Sequence, residues 1–203
     1  MFTNAQPPRP VRPRRGRAPD TRLRLVQAAA EAFNTYGYAG TDVRRIVTVA
    51  GYATGTFYKH FTDKGAALLA AYETWVVDEW DALGAAILSE GTAEDRAERI
   101  VSVSADLHAR WHGLRQAMAS YKMTNTEAAE TYLRLQRRQV AILGRLRDEI
   151  SPGADRPPEA DVLLVMLIER AVEGMAAGEP AALGLSESTM RALLVGAVAD
   201  ALR

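Results

Sequence analysis

Apolar residues in this chain recur three and four positions apart, and no segment shows a sustained alternation of apolar and polar residues. The first spacing stacks side chains on one face of a helix, whereas alternation would line one face of a strand. The pattern predicts an all-α fold of about nine helices and no sheet. Leu25, Ala29, Ala32 or Phe33, and Tyr36 mark the first helix. Asp20 or Thr21 can cap it, and Gly37 sits where a left-handed C-cap is favoured. Thr41 is expected to cap a second, short helix, with Asp42 favouring its positive end. Its apolar face is Val43, Ile46, Val47 and Ala50, and Gly51 breaks it. A third runs from about Thr54 to Phe61, with Phe57 and Phe61 inward. Asp63 then precedes a long helix from about Lys64 to Ser89. Further helices are expected from Thr92 to about His112, onward to about Lys122, and from Thr126 to near Ile150. The last two begin at Pro157 or Pro158 and at Ser186, and Gly178-Glu179-Pro180 reads as a stop.

With 203 residues, 48% of them hydrophobic and 25% charged, the chain can bury a sizeable core. It has no cysteine, which excludes disulfides, thiolate metal sites and cysteine nucleophiles. The apolar run Val162 to Ile168 is far short of the roughly 20 residues needed to span a bilayer. No apolar segment follows the N-terminal arginines as a secretory signal would require. A cytoplasmic protein with no membrane partner is the expectation.

A formal net charge of zero conceals two opposite ends. Residues 1–64 carry 11 Lys and Arg against 4 Asp and Glu, and residues 65–203 carry 14 against 21. A basic end suits an anionic partner, most simply nucleic acid, while the acidic remainder is repelled by it. Residues 1–19 hold five prolines and five arginines. They read as a disordered arm, which is either a solvated tail or a basic segment that follows the minor groove.

Two short helices joined by a glycine turn, resting on a preceding helix in the basic third, form the layout of a helix-turn-helix. Such a unit offers the start of its second helix to base edges. Gly55 and Thr56 are small enough for close backbone approach, and Tyr58, Lys59 and His60 turn polar ends outward. The stretch Thr41-Asp42-Val43-Arg44-Arg45-Ile46, then Ala50-Gly51-Tyr52-Ala53-Thr54-Gly55-Thr56-Phe57-Tyr58-Lys59-His60-Phe61, then Asp63-Lys64, resembles the signature of the TetR family of bacterial transcriptional regulators. Ala53 departs from the usual Ser or Thr, which leaves Thr54 as a replacement cap, and Arg45 stands at a commonly acidic position. The resemblance implies that Thr41, Tyr58, His60 and Lys64 meet phosphates. Arg44, Thr54, Thr56 and Lys59 are then candidates for base contacts, with Arg45 and Gly55 alongside. For Tyr58 the alternative is packing at a helix end. For Arg44 and Arg45 it is a solvated helix face.

The resemblance divides the chain into an arm (1–19), a helix-turn-helix domain (20–66) and a helical domain for ligand binding and dimerisation (67–203). Val162 to Ile168 is apolar on every side of a helix, which points to cover by a partner subunit. The last helix, with Met190, Leu193, Leu194, Val198 and Leu202, is also amphipathic, and in the family this pair forms a homodimer interface. Trp80, Trp111, Met118, Tyr121, Tyr132 and Met166 are candidates for a mostly apolar pocket, or else are plain core. Glu169 lies in the most apolar helix and either meets a ligand, pairs with a neighbour or exits to solvent. The stretch from His112 to Leu135, with Ile168-Glu169-Arg170, resembles the EthR branch of the family.

His108 and His112 are four apart, a metal-ligand spacing, but Arg110 between them opposes a cation, so no metal is expected. No cofactor motif and no catalytic constellation is present. The expected protein is a repressor that binds palindromic operator DNA as a homodimer and is released by a largely apolar inducer. An activator on the same scaffold, or a helical small-molecule-binding protein without DNA function, are the alternatives.

Overall fold

The computed structural model describes residues 18–153 and 157–203. Among them are ten helices and no strand: α1 (Ala18–Gly40), α2 (Val43–Ala50), α3 (Thr54–Phe57), α4 (Lys64–Ile87), α5 (Ala93–Arg110), α6 (His112–Lys122), α7 (Thr126–Ile150), α8 (Pro158–Ala176), α9 (Glu179–Ala182) and α10 (Glu187–Leu202). The arm at 1–19 falls almost wholly outside the described residues.

The helix beyond the expected nine is α9. Gly178 adopts the left-handed φ of 71° and Pro180 is buried in the first turn that follows. A proline there starts a helix as readily as it stops one, because its missing N–H is one of those left unbonded anyway. Two cap residues also differ from expectation. Asp42, not Thr41, caps α2 by accepting from the Arg45 N–H. Ala53 holds the cap position of α3 with no side-chain bond, so Thr54 does not replace it. α7 opens at Thr126 as expected, with Asn125 as its cap. Thr92 and Asp95 form the reciprocal capping box that opens α5.

Leu25, Ala29 and Phe33 of α1, Ile46 and Val47 of α2, and Phe57 are all buried, and they bind the first three helices into one unit. Burying a side chain of this size contributes about 2 kcal/mol. The long α4 leaves that unit, and its inward stripe continues through Leu68, Tyr72, Trp75, Val76, Leu83 and Ile87. It thereby packs on α1 at one end and on α5 and α7 further along. The third side of the molecule is α8 and α10, which pack on α5 and on each other. Arg147 of α7 is bonded to the buried Asp161 of α8 and to the Ala201 carbonyl of α10, tying three helices at one point. No helix among the described residues is long and apolar enough to cross a membrane.

Candidate nucleic-acid interface and ligand cavity

The turn between α2 and α3 is set by Gly51, whose left-handed φ of 72° costs a glycine little. Phe57 is fully buried and packs against Phe61, which anchors the short α3. The remaining α3 side chains therefore face away from the core. Thr54, Gly55, Tyr58 and Lys59 are exposed, and Thr56 and His60 are half-buried. A Cβ placed on Gly55 would meet nothing within 4 Å, so no internal contact requires glycine there. Tyr58 is 58% exposed, with its ring edge-on to Phe57. Helical structure ends at Phe57, and the next three residues form a turn that continues the same outward surface.

On α2, Arg44 and Arg45 are both exposed. The Arg45 guanidinium lies 3.9 Å from the centre of the Tyr36 ring, which gives it a fixed direction. Two of the expected phosphate ligands are committed elsewhere. Thr41 is buried, and its hydroxyl donates to the carbonyls of Ala32 (3.1 Å) and Gly37 (2.8 Å). The Lys64 ammonium donates to the carbonyls of Tyr38 (2.7 Å) and Thr41 (2.8 Å) and sits 4.3 Å from the Tyr38 ring centre. Both side chains bond carbonyls on either side of Gly37, where the chain leaves helical geometry. They brace the end of α1 against the start of α4.

The second site lies between α4, α5, α7, α8 and α10. It is a narrow chamber with about 500 Å³ of atom-free space, counting the solvent at its mouth, lined by apolar residues such as Leu83, Ile100, Leu164 and Val198. Trp80, Glu79, Ser104 and His108 also line it. Four buried polar atoms of these residues have no hydrogen-bond partner: Trp80 Nε1, Glu79 Oε2, Ser104 Oγ and His108 Nε2. His108 Nδ1 is 2.9 Å from the Ser104 carbonyl and 3.4 Å from Glu79 Oε1. A carbonyl only accepts, so Nδ1 carries the proton. Burial, reinforced by Arg115, pushes the His108 pKa down to about 3 and keeps the ring neutral. Burial pushes the Glu79 carboxyl up to about 7, against the opposing pull of Arg115.

Val165 and Glu169 line this chamber and also a wider cleft beside it, about 1280 Å³ counting the solvent at its mouth. Tyr132, Gln136, Met166 and Arg115 face that cleft. Gln136 Nε2 donates to the Tyr132 hydroxyl at 2.9 Å and to Glu169 at 3.3 Å. Burial raises the Glu169 pKa above the usual carboxylate range. The Arg115 guanidinium lies 5.2 Å from the centre of the Trp75 ring, and its Nε and Nη1 are buried without a partner.

Of the seven expected pocket residues, Trp80, Tyr132, Met166 and Glu169 line these two spaces. Three do not. Met118 is fully buried in the core. Trp111 lines a separate cleft with Val26 and Gln27 of α1. Tyr121 stacks on Tyr38 at 4.5 Å, and its hydroxyl packs against Gly65. Trp111 and Tyr121 thus serve the seam between α1 and the rest of the molecule. Glu79, Ser104, His108 and Arg115 were missed. The signal for the first three was present: Glu79 interrupts the stripe Trp75, Glu79, Leu83, and Ser104 and His108 continue the stripe from Ala97 and Ile100. A polar residue inside an apolar stripe is a buried polar residue. Among the described residues no group of three or more His, Asp or Glu side chains could hold a metal ion.

The family profile described as bacterial regulatory proteins, tetR family, matches residues 25–71. The whole chain is similar in fold to a Rhodococcus sp. protein assigned to the TetR-family transcriptional regulators, with a TM-score of 0.72 at 19% identity over 91% of this chain and 100% of that one. It is similar to the fatty acid degradation regulator FadR from Bacillus halodurans, with a TM-score of 0.68 at 17% identity over 94% and 96%. It is also similar to the transcriptional regulator FadR from Bacillus subtilis in complex with stearoyl-CoA, with a TM-score of 0.65 at 21% identity over 89% and 96%. A sequence comparison with curated proteins finds no match.

Proposed function

We propose that this chain, a member of the tetR family of bacterial regulatory proteins, is a transcriptional repressor that binds palindromic operator DNA as a homodimer and leaves it when a small apolar molecule binds. The observation that carries the reading is the bare outer surface of α3. Thr54, Gly55, Tyr58 and Lys59 are exposed over a buried Phe57, and the space before Gly55 is open to an outside partner. Lys59 and Arg44 suit guanine edges or phosphates, and a Thr methyl suits thymine. Tyr58 and His60 suit phosphates.

Dimerisation is supported by the apolar surface left on α8 and α10. Leu163 is 67% exposed, Met166 58% and Leu193 71%, with Val162 and Leu167 beside them. Contiguous exposed apolar area of this kind marks an interaction site. A two-fold axis through it would offer two copies of α3 to half-sites about 34–36 Å apart.

The ligand reading rests on the chamber behind α4. That helix lines the chamber with Glu79, Trp80, Leu83 and Ile87, and at its other end Lys64 holds the carbonyls of Tyr38 and Thr41 around the end of α1. A ligand that spreads the chamber would tilt α4 and with it the spacing of the two α3 helices. Ligand and DNA would then weaken each other's binding by the same factor. The Bacillus subtilis FadR in complex with stearoyl-CoA is a relative in fold that holds a ligand with a long apolar part.

The test is selection of the purified protein against random duplex DNA, without ligand, at two salt concentrations. A recovered palindrome with affinity that falls steeply with salt is expected. No enrichment before and after denaturation and refolding would refute the DNA reading.

A further inference from the structure

We infer that the inner chamber receives an apolar molecule ending in an amine, with the ammonium seated against Glu79 and His108. The inference rests on the ligand-responsive reading above and names the chemistry of its ligand. Four of the buried polar atoms without a partner belong to residues that line this one chamber, and three of them, Glu79 Oε2, His108 Nε2 and Ser104 Oγ, can accept a hydrogen bond. A buried polar atom left unbonded is costly enough to require an explanation. The chamber is otherwise apolar, so the body of its ligand is apolar.

The polar end is asymmetric. His108 donates through Nδ1 to the Ser104 carbonyl, so its Nε2 presents a lone pair. Glu79 Oε2 presents another acceptor. An ammonium has three donors and no acceptor, which matches two acceptors and the Ser104 hydroxyl. A carboxylate end would instead lie against the Glu79 carboxyl.

The charges nearby point the same way. Arg115 and Glu169 are the charged groups that act on Glu79. Arg115 answers to three carboxyl groups, Glu79, Glu169 and Glu173, and Lys122 is the other cation acting on Glu169. The acids exceed the cations by one. Burial holds the Glu79 carboxyl up near 7 despite the pull of Arg115, and a bound cation would return it to the ionised form.

The test uses the full chain without DNA and three probes of equal chain length: octylamine, octanol and octanoate. Calorimetric titration near pH 7 should give octylamine the tightest binding, about ten-fold or more tighter than octanoate. In Glu79→Gln, octylamine should weaken by about ten-fold while octanol changes by no more than about three-fold. Retained octanol binding shows that the variant folds, and the wild-type series stands without it. Octanoate binding as tightly as octylamine, a Glu79→Gln variant indifferent to the amine, or no binding by any probe would overturn the inference. Adding octylamine to a protein–operator complex is a separate measurement. Binding without release from DNA would refute the inducer reading and leave the ligand chemistry standing.

Discussion

Asn34 of α1 accepts a hydrogen bond on its side-chain Oδ1 from the backbone N–H of Leu114 in α6, at 3.0 Å. The other end of the same amide donates to the Arg110 carbonyl at 2.9 Å. One side chain therefore satisfies a carbonyl at the end of α5 and an N–H at the start of α6. Those are groups that a helix break leaves open. It also fixes how the three-helix unit sits on the cavity-bearing helices.

Gly113 lies between those two bonds, and a Cβ there would fall 1.9 Å from the Asn34 backbone oxygen. Backbone cannot yield that far, so Gly113→Ala should push α6 off α1 and cost about 3 kcal/mol. Asn34→Ala should cost about 1 to 2 kcal/mol through the lost bonds. Urea unfolding measures both. Each variant should also shrink the factor by which ligand reduces DNA affinity, since the joint between the two sites is loosened. Wild-type stability in Gly113→Ala would contradict the close approach.

Tyr58 is exposed, and only the edge of its ring meets Phe57. Tyr58→Ala should leave stability within about 1 kcal/mol. It should weaken DNA binding by about ten-fold, with similar loss on operator and random sequence, because the phosphate contact proposed for it carries no base information. Fluorescence anisotropy with both duplexes gives the comparison. A loss confined to the operator would make Tyr58 a base reader instead.

Leu163 and Leu193 project from α8 and α10 into solvent. Leu193→Arg should convert the proposed dimer to a monomer without unfolding it, because it places a charge in the proposed interface and leaves the core untouched. Sedimentation velocity reads the mass, and circular dichroism reads the fold. A dimer that persists with charge at both positions would move the interface elsewhere.

The pH dependence follows from Glu79 and His108, whose shifts have opposite signs. The Glu79 pKa rises from 4.5 to about 7 on folding, so the folded state holds its proton longer and stability falls as pH rises through that window. The His108 pKa falls from 6.5 to about 3, so stability falls as pH drops through that lower window. Where the windows overlap the two slopes oppose each other. Glu79→Gln removes only the first. Its stability relative to wild type should therefore grow by about 2 kcal/mol between pH 5 and pH 8, in thermal or urea melts. A pH-independent difference would mean that Glu79 is not the titrating group.

The α3 surface was legible in sequence because helix-turn-helix chemistry is local. Phe57 and Phe61 had to face in, and Thr54, Tyr58 and Lys59 were left outside by a spacing of a few residues. The cavity was only half legible. Glu169 and Tyr132 were found as candidates, but Trp111 and Tyr121, equally aromatic and equally helical, went to the seam with α1. Periodicity gives the face of a helix and says nothing of which neighbour that face meets. Lys64 and Thr41 make the same point. Their sequence context suits phosphate, yet backbone carbonyls around the end of α1 reach them first.

By itself, the sequence determined the helical class, the order and limits of most helices, and the outward residues of α3. Each depends on interactions within about four residues along the chain. Tertiary structure alone decided that Glu79, Ser104 and His108 share one chamber, that Asn34 joins α1 to α6, and that Met118 belongs to the core. Those facts depend on how separate helices approach one another, and that is set by the packing of whole faces.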